Sequence, residues 1–191
     1  MAILVVRKAW RILGLIFPLV YYFTNKITTL FILLPILGIF IFIEILRHFI
    51  FRFNETLFII FRYILKEKER KKILATTWFL LSVFLSIALF KKDIAITAIL
   101  FLIFGDTASG IVGSSFGRTK IGRCSLEGSL AFFITCLIIA IFINFTKVVL
   151  SWPVVVIGAL AATLIELSPW LDDNFTVALF SGIIMTIVSR L

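Results

Sequence analysis

Long apolar runs constrain the fold of this chain more than any other feature. Runs of 16 to 21 mostly apolar residues recur along its whole length, and a helix needs about 20 such residues to cross a bilayer. The hydrophobic fraction of 62% and the mean hydropathy of +1.19 exceed those of a soluble domain, which is closer to half apolar. We therefore predict an all-α fold, a polytopic membrane helix bundle in which residues 1–191 form a single integral membrane domain.

The apolar runs predict about seven transmembrane helices, which are joined by short polar turns. The turn Asn25-Lys26 separates the first two spans, and Lys91-Lys92-Asp93 joins the third and fourth. The N-terminal residues lack a cleavage pattern, so we expect no cleavable signal peptide. The predicted spans are about 9–25, 27–46, 73–90, 93–113, 126–144, 148–166 and 175–190.

The segment from about 47 to 66 differs from these runs. A charged residue interrupts its Phe, Ile and Leu residues every few positions, at Arg47, Arg52, Glu55, Arg62 and Lys66. This spacing favours an amphipathic helix that lies in the membrane interface over a helix that spans the membrane. The highly charged run 66–72 that follows is predicted to be a solvated loop.

The basic residues indicate how the chain is oriented. The net charge is +9, but the cations lie between apolar runs, which is typical of membrane topology and headgroup contact and not of nucleic-acid binding. By the positive-inside rule the bias predicts a cytoplasmic N-terminus and a C-terminus on the opposite side, in the plasma (inner) membrane if the cell is prokaryotic. The basic residues that this topology leaves on the outer side are Lys26, Lys91, Lys92, Lys147 and Arg190.

The same topology gathers acidic residues at the cytoplasmic face, at helix ends or in the adjoining loop. We therefore expect the substrates to come from the cytoplasm and the inner leaflet. Ionisable groups at membrane depth are costly and are candidates for function. The residues concerned are Glu44, Asp106, Glu127, Glu166, Asp172 and Asp173.

Small residues recur every four positions around one of these acids, at Gly105, Ser109, Gly113 and Gly117. Such a stripe is typical of close helix packing, but packing alone does not explain the neighbouring Asp106. Glycines also let backbone N–H groups approach a phosphate closely. No Walker A motif is present, because the required Gly-Lys-Ser/Thr does not follow.

A basic loop follows this stripe and contains Arg118, Lys120 and Arg123. These cations suit a nucleotide triphosphate, although they also serve as topology markers. Ser125 is a candidate N-cap for the next helix. Glu127 either complements the helix dipole or binds a metal. The two cysteines lie 12 positions apart in the sequence, which makes a disulfide between them improbable if both lie on one helix.

A third polar cluster, Asp172-Asp173-Asn174, precedes the last apolar run. It has the residue types of a helix N-cap, but two adjacent acids and an amide also suit a metal or a substrate. Mg²⁺ typically takes one or two carboxylates together with phosphate oxygens and water. Asp106 is one predicted ligand, and the other candidates are Glu127, Glu166, Asp172 and Asp173. Only one histidine, His48, is present, which argues against a catalytic triad.

In three blocks of sequence that contain these residues, the chain resembles the polyprenol kinase family, which contains dolichol kinases, phytol kinases and CTP-dependent diacylglycerol kinases. The blocks are Gly105 to Ile121, Ser125 to Phe133, and Glu166 with Asp172 to Thr176 and Ser181-Gly182, within residues 104–182. Arg7-Lys8 and Glu44 to Arg47 are similar to weaker family features, and Arg11 stands where members often carry a histidine.

The resemblance implies transfer of the γ-phosphoryl group of CTP to a lipid alcohol, with a divalent cation such as Mg²⁺. On this basis we predict roles in catalysis for Asp106, Glu127 and Asp173, and in substrate binding for Glu44, Arg47 and Asn174. Nucleotide binding is implied for Gly105, Gly110, Gly113, Gly117, Arg118, Lys120, Arg123, Ser125 and Gly128.

We therefore predict a CTP-dependent lipid kinase that phosphorylates polyprenol or dolichol, diacylglycerol or phytol at the cytoplasmic face. The predicted partners are the lipid bilayer, the lipid alcohol and CTP, without nucleic acid. The alternatives are a phosphatidate cytidylyltransferase, which uses the same nucleotide, and a small membrane transporter. The transporter requires internal repeats or broken helices near the midplane, and no clear repeat is present in the sequence.

Overall fold

A computed structural model describes residues 10–65, 67–122, 124–146, 148–168 and 172–191, with only the backbone of Lys68. Arg7, Lys8, Lys66, Arg123 and Lys147, to which the sequence analysis gave roles, lie outside the described residues. Everything below concerns the described part of the chain.

The described residues form eight helices and one short hairpin, which confirms the prediction of an all-α protein. The hairpin was not predicted; its strands are antiparallel, with Lys120 opposite Ser125 and Ile121 opposite Cys124. A 3-10 turn at Leu13–Leu15 lies within α1, and another is formed by Glu67–Glu69. The elements are α1 (Trp10–Phe23), α2 (Lys26–Phe49), α3 (Phe51–Ile60), α4 (Ala75–Leu89), α5 (Lys92–Phe116), β1 (Lys120–Ile121), β2 (Cys124–Ser125), α6 (Leu126–Asn144), α7 (Trp152–Glu166) and α8 (Asp173–Val188).

Each predicted span corresponds to an apolar helix, but the count of seven membrane spans is not confirmed. By length and composition, α2, α5 and α6 are able to cross a membrane, whereas α1, α4, α7 and α8 are shorter, with 10–17 residues each. Part of the difference in length between the predicted spans and the helices comes from flanking residues that are not helical. The predicted span 148–166, for example, enters α7 only at Trp152, and Pro153 occupies the first turn, the helical position that tolerates proline best.

The predicted interfacial helix is shorter than expected and begins later. Residues 47–49 continue α2, and the chain leaves helical geometry at Ile50, whose φ and ψ are −115° and 97°. The separate helix α3 then runs from Phe51 to Ile60. Its apolar side chains remain exposed at Phe51, Ile59 and Ile60. Its location in a membrane interface stays a prediction.

The helix α5 lies at the centre of the bundle. Its residues from Ile94 to Ile99 and from Phe101 to Ile103 are almost completely buried, because α1, α4, α6 and α8 pack around it. The segment Phe101–Gly105 widens into a π-helix immediately before Asp106. A π-helical segment is an irregularity that is frequent at functional sites. The central helix is therefore apolar along its first half and polar along its last three turns.

Gly105 lets α5 and α6 approach each other at this irregularity. A Cβ atom at Gly105 would lie 2.7 Å from the ring of Phe132, which is completely buried in the core. Because the ring has no free space to move into, any larger residue at this position forces the two helices apart.

We expect Gly105→Ala to lower the free energy of unfolding by about 1–3 kcal/mol, since the added methyl group overpacks the core. The matched control is Gly38→Ala, because a Cβ at Gly38 would meet no atom within 4 Å. Thermal unfolding in detergent measures both variants. The control should melt at or slightly above the wild-type temperature, because alanine is the better helix former. Equal melting temperatures of the two variants would contradict the close contact between Gly105 and Phe132.

Candidate functional site

A cavity of about 380 Å³ opens where the polar end of α5 meets the hairpin and the ends of α7 and α8. Three separate stretches of sequence contribute to its wall, and most of the contributing residues are small or charged. The residues that line it are Asp106, Ser109, Gly110, Gly113, Ser114, Gly117, Lys120, Gly122, Cys124, Ser125, Glu166 and Asp173.

The glycine stripe brings α5 and α6 to within backbone contact beside this cavity. A Cβ on Gly128 would lie 3.0 Å from the carbonyl oxygen of Ser109 and 3.3 Å from the Cα of Gly113. Gly128 and Gly105 therefore serve the contact between helices and do not line the cavity. Gly113 does both, so the stripe packs a helix and also exposes its backbone to the cavity.

The hairpin places Lys120 at the cavity. Gly122 forms its turn with a φ of +59°, a conformation that favours glycine. The predicted cap is confirmed: Ser125 Oγ accepts a hydrogen bond from the Gly128 N–H at 3.1 Å and begins α6. Arg118 is exposed and does not line the cavity, and Arg123 lies outside the described residues.

Glu166 is a buried carboxylate that joins three helices. Its Oε1 atom accepts a hydrogen bond from Ser109 Oγ at 2.6 Å, and its Oε2 atom accepts one from Ser129 Oγ at 2.9 Å. The side chain is 4% exposed, and a buried charge of this kind requires such donors. Glu166 therefore ties the end of α7 to both α5 and α6, at the wall of the cavity.

Arg11 is the site residue that the sequence analysis missed. Its guanidinium forms an ion pair with Asp106 Oδ2 and also donates a hydrogen bond to Asn174 Oδ1. The side chains of Arg11 and Asp106 are only 16% and 17% exposed. The available signal was a charged residue inside the apolar run 9–25, since such a residue marks a functional candidate.

The third polar block divides its roles between adjacent residues. Asp172 is the N-cap of α8, because its Oδ1 atom accepts a hydrogen bond from the Asn174 N–H at 3.0 Å. The same oxygen accepts a second bond from Asn174 Nδ2. Asp173, the next residue, lines the cavity, whereas Asp172 and Asn174 do not.

Glu127 closes the loop that precedes it and does not line the cavity. Both of its carboxylate oxygens accept the Thr119 N–H, at 3.1 and 3.3 Å. The predicted carboxylates that share the cavity are thus Asp106, Asp173 and Glu166.

Asp106 and Asp173 suit a divalent cation that is shared with a phosphate. Among the described residues, no group of three or more His, Cys, Asp and Glu side chains is close enough to hold a metal by itself. Mg²⁺, however, commonly takes only one or two carboxylates and completes its shell with phosphate oxygens and water. Asp106 and Asp173, at one cavity with Lys120, provide hard oxygen donors of that type.

Glu44 and Arg47, the predicted substrate residues of α2, lie elsewhere and are engaged in the fold. Arg47 donates to Glu44 Oε2 at 2.9 Å, to Asn54 Oδ1 at 3.3 Å and to the carbonyl of Lys72 at 2.9 Å. The other oxygen of Glu44 accepts the Leu74 N–H at 2.7 Å. Neither residue lines the cavity.

The charged run 66–72 was predicted to be a solvated loop, and this prediction is wrong for part of its described backbone. The carbonyl groups of Glu69 and Arg70 also accept hydrogen bonds from Arg47, and Glu69 is buried. The loop wraps around a buried cation that needs acceptors. Arg70 faces outward and pairs with Glu55 and Glu67.

The chain has distant relatives among curated proteins. An uncharacterized protein of Rickettsia prowazekii is 29% identical over 180 residues, which covers 91% of this chain and 88% of that protein. No family model matches the chain. No solved structure matches it significantly.

Two further relatives have a named activity, and both are called CTP-dependent diacylglycerol kinase 1. The one from Eremothecium gossypii is 30% identical over an alignment of 148 positions, which covers 64% of this chain and 46% of the kinase. The one from Saccharomyces cerevisiae is 28% identical over 153 positions, which covers 66% and 52%. The chain thus spans about half the length of these kinases. The similarity agrees with the motif resemblance at the level of a lipid-kinase-like family.

We expect Arg47→Leu to lower the free energy of unfolding by about 3–5 kcal/mol, because it leaves Glu44 buried without its partner. The control is Arg52→Leu, since Arg52 is exposed and its loss should cost less than about 0.5 kcal/mol. Chemical denaturation measures both changes. A role of Arg47 in substrate binding would instead appear as a raised KM in a protein of unchanged stability.

Proposed function

We propose that this chain is a membrane-embedded, CTP-dependent lipid kinase that transfers the γ-phosphoryl group to the hydroxyl of a lipid alcohol. One observation carries the proposal: a single cavity joins Asp106, Lys120 and a glycine-lined backbone from residues 106–125 to Asp173 from a distant part of the chain. The distant similarity to CTP-dependent diacylglycerol kinases supports it. The apolar helices around the site suit a substrate that reaches it from the membrane.

The triphosphate of CTP would lie against the small residues of α5. Gly110, Gly113 and Gly117 offer a surface without side chains at the cavity, which lets phosphate oxygens approach the backbone closely. Lys120 supplies a point charge for phosphate. Arg118 and Arg123 flank this lysine in the sequence and remain candidates for further phosphate contacts.

Asp106 and Asp173 would hold the divalent cation, and Glu166 would keep α5, α6 and α7 in register. The cation, when bound, neutralises charge on the phosphates during transfer. The lipid hydroxyl oxygen forms the new bond to the γ-phosphorus, the bond to the bridging β–γ oxygen breaks, and CDP leaves. The hydroxyl proton passes to a carboxylate of the cavity that does not ligate the cation; Asp173 is the candidate if Asp106, which is paired with Arg11, holds the cation without it.

The test is phosphorylation of lipid alcohols by the purified protein with γ-labelled CTP and Mg²⁺. Diacylglycerol, polyprenol, dolichol and phytol are offered separately. We expect Asp106→Asn to reduce labelling by about 100-fold or more, because a positioned charge is lost from the reaction site. The control is Asp93→Asn, which makes the same chemical change in the first turn of the same helix, away from the cavity.

Labelling of none of these lipids would reject the kinase, and phosphatidate offered with CTP would then separate a cytidylyltransferase from a transporter. The released product distinguishes a kinase from a phosphatidate cytidylyltransferase, because the kinase releases CDP and the cytidylyltransferase releases pyrophosphate. Recovery of pyrophosphate, with the nucleotide attached to lipid, would replace our proposal by the cytidylyltransferase. Both variants are melted in parallel so that unfolding is not mistaken for lost chemistry.

Nucleotide binding has a separate test that does not require turnover. Cys124 lines the cavity and is partly exposed, whereas Cys136 is completely buried. We expect Mg²⁺ and CTP together to slow alkylation of Cys124 by a maleimide about tenfold or more, since the reagent and the nucleotide compete for one space. The variant Cys124→Ser should take up no reagent. An unchanged rate at saturating CTP would place the nucleotide elsewhere.

A further inference from the structure

Arg11 lies beside the proposed reaction site, where it contacts Asp106 but does not line the cavity. It reaches from α1 to two distant helices, where it pairs with Asp106 at the polar end of α5 and donates to Asn174 in the first turn of α8. Asn174 in turn donates to Asp172. A charge at this depth requires partners; of the two that Arg11 has, Asp106 lines the cavity and Asn174 follows Asp173, which lines it too.

The pairing has a consequence for cation binding at Asp106. One oxygen of this carboxylate already faces a guanidinium, and Lys120 adds a second positive charge to the same cavity. Asp173 and Glu166 supply negative charge elsewhere in the cavity, but a divalent cation that approaches Asp106 itself meets the charge of Arg11. This repulsion is strong because Arg11 and Asp106 are mostly shielded from solvent, and charges interact more strongly where the effective dielectric constant is low.

We propose that Arg11 is the built-in counter-ion of Asp106, which keeps divalent cations off this carboxylate while the nucleotide site is empty. The inference rests on the proposed function only in that Asp106 is the carboxylate the cation later uses. The triphosphate brings enough negative charge to offset Arg11 and Lys120, so that the cation enters together with the nucleotide. Arg11 acts through Asp106 and touches no reacting atom.

A purely structural role for Arg11 predicts something different. In that case Arg11 only tethers α1 to α5 and α8, and its loss lowers stability without changing the affinity for cations. The two roles are separated by comparing Arg11→Lys with Arg11→Gln. Both variants lose the paired geometry of the guanidinium, but only the glutamine removes the positive charge.

The experiment is a titration with Mn²⁺ in the absence of nucleotide, in which the signal of free Mn²⁺ is followed by electron paramagnetic resonance. We expect the wild type and Arg11→Lys to bind Mn²⁺ weakly at this site. Arg11→Gln should bind it about tenfold more tightly or better, which corresponds to about 1.4 kcal/mol. The double variant Arg11→Gln/Asp106→Asn should lose this gain in Mn²⁺ affinity. It also measures the background binding of Mn²⁺ to detergent and lipid.

Equal Mn²⁺ affinity of the wild type and folded Arg11→Gln would overturn the proposal. If Arg11→Gln does not fold, the comparison of wild type with Asp106→Asn decides. Tight binding to the wild type that Asp106→Asn abolishes would show that Arg11 does not exclude the cation, whereas equal weak binding to both supports the exclusion. Because no CTP is added, the result stands whether or not the protein phosphorylates a lipid, so the two proposals fail independently.

Discussion

The need to partner every buried ionisable group governs this structure. Polar groups placed in an apolar bundle cost free energy unless they are hydrogen-bonded or paired. Glu166 meets the requirement with two serine hydroxyls, and Asp106 with Arg11. Arg47 meets it with Glu44, Asn54 and the carbonyls of a loop that would otherwise be solvated. These networks decide which helices meet, because each joins elements that are far apart in the sequence.

The central helix α5 combines a buried apolar half with a half that lines the cavity. The first half of α5 is enclosed by apolar side chains, and its last turns carry small residues and one acid. Gly113 and Gly128 let α5 and α6 touch along their backbones, which leaves a wall of the cavity without side chains. Close packing and an open backbone at the cavity therefore have the same origin, namely the absence of Cβ atoms. The compact wall suits a reaction that depends on positioning and charge more than on covalent chemistry.

Much of the fold was predictable from local patterns. Apolar runs located every apolar helix, and the residue types at Ser125 and Asp172 located two caps that the structure confirms. The exact helix ends were harder to predict, because the helix break at Ile50 is not marked by a glycine or a proline. The hairpin after α5 was missed as well. Its strands have two residues each, too few to display the alternation that identifies a strand.

The sequence by itself determined the helical class, the apolar character and the acids, glycines and lysine that the cavity collects. It did so because periodicity and residue type act over a few neighbouring positions. Only the tertiary structure decided that Arg11 faces Asp106, that Glu127 binds a backbone N–H and that Arg47 belongs to a structural network. The first and the last of these depend on contacts between separate elements, and Arg11 also reaches Asn174, 163 positions away. Such contacts follow from the packing of helices and leave no local pattern.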